Sequence, residues 1–109
     1  MKLSAGDFAT IDWSSVPATE HPGEAGVAIW RTVQRGDVRV RMVEYSPGYL
    51  ADHWCAKGHV ILVLKGQLTT ELKDGRRIEL KEGMCYTVSD DGEKHRSTTE
   101  NGSSLFIVD

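Results

Sequence analysis

Residues 60–80 read VILVLKGQLTTELKDGRRIEL, and their reading decides the fold. Residues 60–64 are five consecutive aliphatic side chains, too few for a buried helix and rich in the β-branched residues that suit a strand. Lys65-Gly66 leads on into a second extended run over 67–72. Asp74-Gly75 is a strong hairpin signal, and 76–80 returns antiparallel. In 60–64 the usual alternation of apolar and polar residues fails. Both faces of that strand are therefore expected to be buried, one in a core and the other against a second subunit or the chain's own N-terminal arm.

Working outward, the same grammar repeats. Residues 27–33 and 38–45 flank the turn Arg35-Gly36-Asp37, and Ser46-Pro47-Gly48 closes that hairpin. Lys81-Glu82-Gly83 turns into a strand over 84–88. A polar loop leads to a strand over 96–100, and Asn101-Gly102 predicts a last hairpin into 105–108. Beyond residue 26 no segment shows sustained helical periodicity. Short strands at close spacing, separated by Gly-containing turns, predict an all-β sandwich or barrel. Residues 1–26 hold two of the three prolines. They are expected to form an irregular arm packed on a barrel of residues 27–109, with one short helical turn and with Trp13 and His21 anchored.

The 109 residues allow one domain, and a formal net charge of −3 with scattered basic residues argues against nucleic acid as a partner. No apolar run is long enough to span a bilayer and no secretory h-region is visible, so no membrane partner and a cytoplasmic location are expected. The two cysteines, Cys55 and Cys85, are then free thiols. Cys85 in MCYTV is expected to be buried in its strand.

Residues 52–59, DHWCAKGH, gather two of the four histidines and one of the cysteines. If 50–55 is extended, His53 and Cys55 share one face and Trp54 takes the other. A turn at 56–58 then brings His59 beside them, and His95, after the loop 91–94, can supply a fourth ligand. Imidazole with thiolate suits zinc, iron, nickel or copper rather than magnesium or calcium. Asp52 is a candidate to orient a ligand histidine or to cap a turn. Arg39 and Arg41 share one strand face: outward they are a solvated surface, which is the expectation, and inward they imply a carboxylate or phosphate ligand.

The spacing from Gly48 to Gly66 resembles the first cupin motif, G-x5-H-x-H-x3-4-E-x6-G, and Gly83 to Thr99 resembles the second, G-x5-P-x-G-x2-H-x3-N. His53, Cys55 and His59 fall where the first motif has its two histidines and its glutamate, and His95 falls at the histidine of the second. DHWC, the following KGH and the later HRSTTENGSSLFIVD resemble the small single-domain bacterial cupins called DHCW-motif cupin-fold proteins. Loop lengths differ by one residue in each motif, Ser89 stands near the proline, and Thr99 replaces the asparagine. The resemblance implies a jelly-roll barrel with one divalent transition metal held by His53, Cys55, His59 and His95. One thiolate keeps the single negative charge of the usual carboxylate but shifts preference toward softer metals. Three functions follow as alternatives: a metal-dependent enzyme on a small molecule, a noncatalytic metal or small-molecule binding module, and a metal-free thiol site centred on Cys55. The two-sided strand at 60–64 adds the expectation of a homodimer.

Overall fold

A computed structural model describes residue 3 and residues 6–109. A 3-10 helix at Trp13–Ser15 precedes eight strands: β1 (Ala18–Pro22), β2 (Val27–Arg35), β3 (Val38–Tyr45), β4 (His59–Leu72), β5 (Arg77–Lys81), β6 (Cys85–Val88), β7 (His95–Thr98) and β8 (Ser103–Val108). All pairings are antiparallel, along the path β1-β2-β3-β8-β4-β5, with β6 and β7 also paired to β4. The chain is an all-β jelly-roll barrel, as its pattern of short strands predicts.

Strand β4 organises the whole. The sequence suggests two runs, 60–64 and 67–72, and they form one long strand with a register shift between Val63 and Lys65. An extra residue at such a bulge bends a strand and strengthens its twist. The first half of β4 pairs with β8 and β6, the second with β5 and β7. Gly66 lies beside the bulge with φ +81°, and a Cβ there would sit 2.3 Å from the Gly102 carbonyl oxygen. Only glycine lets the bend pass so close to the neighbouring turn.

This sharing of β4 corrects the expected order of hairpins. The turn at Asn101-Gly102 does not close a hairpin, because β7 pairs with the second half of β4 while β8 pairs with β3 and the first half. Likewise β5 and β6 are joined by a turn yet bind different halves of β4. The core lies between the two sets of strands. Val43, Ile61, Val63, Leu105 and Ile107 come from one side and Leu68 and Leu80 from the other. The opposite parity of β4, Val60 and Leu62, is only half-buried.

Within the segment read as irregular, 18–22 is a regular strand. Its residues pair with β2 from Ala18↔Arg31 to Pro22↔Val27. Pro22 stands at the last position of an edge strand, where a missing N–H costs no ladder bond. Of the expected anchors, His21 stacks on Trp30 at 3.7 Å between ring centres; beside Trp13, Asp12 caps the 3-10 helix by accepting from the Ser14 N–H at 3.1 Å. Cys85 is exposed, against its expected burial. In β6 the inward positions belong to Tyr86 and Val88, so alternation turns Cys85 and Thr87 outward.

Candidate metal centre

Residues 50–55 reach the site by running antiparallel beside β7. Leu50 bridges Thr98, the Ala51 N–H donates to the Ser97 carbonyl at 2.9 Å, and Cys55 bridges His95. In that last bridge Cys55 N–H donates to the His95 carbonyl at 2.7 Å and His95 N–H to the Cys55 carbonyl at 3.1 Å. Cys55 and His95 are thereby locked side by side by backbone bonds alone. His59 arrives as the first residue of β4. The link between them is held by Gly58, whose N–H donates to Asp90 Oδ1 at 2.8 Å; a Cβ there would sit 2.5 Å from the Asp90 nitrogen. Trp54 takes the opposite face, as alternation predicts, between the cations of Lys73 and Arg96, each 4.5 Å from its ring.

The result is a cluster in which Cys55, His59 and His95 each offer a donor atom within 4.8 Å of the others, with both histidines buried. His53, the fourth expected ligand, is not brought into it. Its side chain is 74% exposed and its Nδ1 lies 2.7 Å from Asp52 Oδ1. Asp52 therefore orients His53.

The hydrogen-bond partners fix how the two buried imidazoles face each other. His95 Nδ1 lies 2.8 Å from the Glu93 carbonyl oxygen, and His59 Nδ1 lies 3.3 Å from Asp109 Oδ2. Both partners only accept, so both Nδ1 atoms carry the hydrogen. The two Nε2 atoms lie 2.7 Å apart, the separation of a hydrogen bond between the rings. One ring then donates through Nε2 to the other, and a metal ion bound to both at about 2.0–2.1 Å would move them apart by about half an ångström. A second partner fixing the far nitrogen of each ring is also how metal-binding histidines are ordinarily held. The donor set fits a zinc-, iron-, nickel- or copper-class ion.

The thiol completes the electrostatics. Hydrogen bonding to the His95 imidazole pulls the Cys55 thiol below its ordinary range against the effect of burial, helped by the Lys57 N–H, 3.4 Å from the sulfur. The same contact raises His95, again against burial.

Three residues beside the cluster escaped or contradicted the sequence reading. Arg39 and Arg41 point inward, not to solvent. Both bind Asp109: Arg39 Nε at 2.8 Å, Arg39 Nη2 at 3.0 Å and Arg41 Nη2 at 2.9 Å. Arg41 is only 5% exposed and its guanidinium lies over Trp30, 4.3 Å from the ring centre. Burial opposes the Asp109 charge, yet His59, Arg39 and Arg41 together hold its carboxyl well below the usual range. Asp109 itself had a legible signal. It continues the inward parity of Leu105 and Ile107, so an acid at that position faces the interior and needs a partner there.

No protein-family model matches the sequence, and no curated protein matches it. Solved structures do. A predicted oxalate decarboxylase from Thermotoga maritima is 13% identical, with TM-score 0.76 over 92% of this chain and 96% of that chain. The chain has the cupin fold. A polyketide cyclase from Streptomyces resistomycificus agrees at 23% identity, TM-score 0.74, over 94% of this chain and 78% of that one. A cupin-2 domain containing protein from Shewanella frigidimarina is 19% identical, TM-score 0.60, over 73% of this chain and 78% of that one. In this cupin barrel three of the four positions aligned with the motif ligands, Cys55, His59 and His95, converge in the interior, and the first, His53, stands outside their cluster on the wall of the same cavity.

Proposed function

We propose that this chain is a small metal-dependent enzyme that holds one divalent transition metal through Cys55 Sγ, His59 Nε2 and His95 Nε2 and acts on a small molecule. The observation that carries it is the convergence of Cys55, His59 and His95, whose ligand atoms all lie within 4.8 Å of one another with both imidazoles buried. When bound, such an ion supplies Lewis acidity toward an oxygen ligand or an activated water. Three protein ligands leave room for a further one, the mark of catalytic rather than structural zinc-type sites. Asp109 and the Glu93 carbonyl hold the two rings in place, and Tyr86, whose ring centre is 6.2 Å from His59 and 6.1 Å from His95, walls the cluster from the other side. The sequence features that resemble the DHCW-motif cupins support placing the chain among those small bacterial, cytoplasmic proteins.

A second reading rests on His53. It lies on the wall of the same cavity, and turning it inward would close the site with four protein ligands, making a noncatalytic binding module. Elemental analysis of protein purified without an affinity tag or added metal, followed by X-ray absorption spectroscopy, separates the cases. One metal per chain with one sulfur, two imidazoles and a non-protein ligand is expected. A third imidazole establishes the binding module, and no metal at all overturns both readings in favour of thiol chemistry.

A further inference from the structure

The turn at Asn101-Gly102 closes no hairpin and lies outside the metal cluster. An asparagine followed by glycine carries a chemistry of its own. The backbone nitrogen of the second residue can attack the side-chain carbonyl carbon of the first, and a glycine there has no Cβ to obstruct the approach. Asn101 is the only asparagine in the chain, and the comparable acid-glycine pairs are Asp74-Gly75 and Asp91-Gly92.

The three turns differ in what holds the attacking nitrogen. Gly75 N–H donates to the Leu72 carbonyl at 3.0 Å, and the Asp74 carboxylate is engaged by the Arg76 N–H at 3.0 Å and by Arg76 Nε at 2.9 Å. Gly92 N–H donates to the Ser89 carbonyl at 3.0 Å. Gly102 N–H, by contrast, meets no acceptor among the described residues, and Asn101 is exposed. Both flanks of that turn are fixed. Thr99 N–H donates to the Tyr49 carbonyl at 3.1 Å, the Glu100 carbonyl accepts from the Gly48 N–H at 3.0 Å, and Ser103 pairs with Tyr45 and Gly66. Rearrangement confined to Asn101 and Gly102 therefore gives up no backbone hydrogen bond among the described residues.

We propose that Asn101 deamidates spontaneously in the folded protein and that the isoaspartyl product loosens the bend of β4. The Gly102 nitrogen gives its proton to solvent and bonds to Asn101 Cγ; the Cγ–Nδ2 bond breaks, ammonia leaves and a five-membered succinimide closes. Water then opens the ring. Breaking the new bond from nitrogen to Cγ yields aspartate on the original main chain. Breaking the bond from that nitrogen to the Asn101 carbonyl carbon yields isoaspartate, whose main chain runs through Cβ and Cγ and is longer by one carbon. The longer chain has no slack at this place. The Gly102 carbonyl oxygen would lie 2.3 Å from a Cβ on Gly66, and Gly66 stands beside the bulge that bends β4. Either product adds a negative charge to a groove lined by Glu44, Glu82 and Lys65, so anion exchange separates reacted from unreacted protein.

The test incubates the full chain, native and unfolded in guanidinium chloride, at mildly alkaline pH, where the attacking nitrogen loses its proton more readily. The tryptic peptide 97–109 contains Asn101 as its only side-chain amide. Its mass reports deamidation, and its methylation by protein L-isoaspartyl methyltransferase reports the isoaspartyl share. Native protein is expected to deamidate within about tenfold of the unfolded rate, since opening an exposed turn costs almost nothing. A slower native rate overturns the proposal, because reaction confined to the unfolded chain would be slowed by about a thousandfold or more. Isoaspartate formation at Asp74 and Asp91 is expected to be slowed by folding far more than at Asn101, and equal slowing at all three turns also overturns the proposal. Asn101→Gln is expected to abolish the reaction and to melt as fresh wild type does. Asn101→Asp supplies the aspartyl product alone. The aged, anion-exchange-purified fraction is expected to contain isoaspartate and to melt about 4 °C or more below Asn101→Asp. An isoaspartyl fraction that melts with Asn101→Asp overturns the link to β4.

Discussion

Cys85 stands exposed on the outer face of β6, whereas Cys55 is half-buried against His95 and accepts a backbone N–H. One side-chain type thus sits in two settings, and each serves as the other's control. With metal bound, Cys55 is expected to resist iodoacetamide while Cys85 is alkylated quickly; after chelation both react, Cys55 the more readily because its thiol is drawn toward thiolate. Mass spectrometry of the two peptides over time checks this, and equal rates at Cys55 in both states would place it outside the metal's ligands. Asp109 acts at the same scale. Asp109→Asn removes the charge that orients His59 and leaves Arg41 buried without a counter-ion. Metal affinity is expected to fall about 10- to 100-fold, and unfolding free energy by about 3–5 kcal/mol, the usual cost of breaking a buried ion pair from one side. Competition with a chromogenic chelator measures the first and urea unfolding the second. A loss of stability with metal affinity intact would make Asp109 a purely structural partner of the arginines.

Among the elements, the link between Cys55 and β4 is what lets two neighbouring ligands meet a third. Residues 56–58 press against the loop 89–92, with Asp91 N–H donating to the Ala56 carbonyl at 2.9 Å and no room for a side chain on Gly58. Gly58→Ala must push backbone, not a flexible side-chain tip, and is expected to cost about 1–3 kcal/mol. Because the displaced segment carries Cys55 and His59 at its two ends, metal affinity should fall along with the melting temperature. A variant that melts lower yet binds metal as wild type would show the link to be incidental to the site. Element identity itself was legible. The β-branched and aromatic runs, the Asp74-Gly75 hairpin and the turn at Gly36 appear where the sequence places them. Which strands pair was not legible at 81–83 and 101–102, because a turn signal reports that the chain reverses locally and carries no information about which half of β4 the next strand will join.

At the scale of the whole molecule the ligands come from three places in the chain, so an unfolded chain cannot present them together. Free metal at about 100 times its dissociation constant should stabilise the fold by about 2.7 kcal/mol. At about 4–8 °C per kcal/mol for a domain of this size, a chelator should lower the melting temperature by about 10–20 °C, reversibly, and His95→Ala should abolish the difference. An identical response to chelator in wild type and variant would exclude His95 as a ligand. The outer face of the barrel bears on assembly. Register aligns Val40, Val108 and Val60 in one row and Met42, Phe106 and Leu62 in the next, all half-buried and across three adjacent strands. Among the described residues of the N-terminal arm, Trp13 and Ser14 line a pocket with Ile29, Arg31 and Met42 at one margin of this face. A second copy is the expected cover for the rest, giving a homodimer in sedimentation at micromolar concentration, and Leu62→Lys should yield monomer or aggregate. A monomeric wild type would leave those rows as ordinary exposed surface.

What the sequence alone determined is whatever depends on neighbours along the chain. Alternation sets which residues share a strand face, glycine-containing pairs set where the chain turns, and the spacing of His53, Cys55, His59 and His95 marks where metal-type ligands gather. Tertiary structure decided the rest because it depends on residues far apart in sequence. Cys55 is aligned to His95 by a bridge 40 positions away (95 − 55), which holds those two side chains together while His53, two residues earlier, turns to Asp52 at the surface. Arg41 faces inward only because Asp109, the next inward position after Ile107, waits 68 residues later to receive it. Burying a cation is unfavourable until its counter-ion is in place, and only folding puts it there.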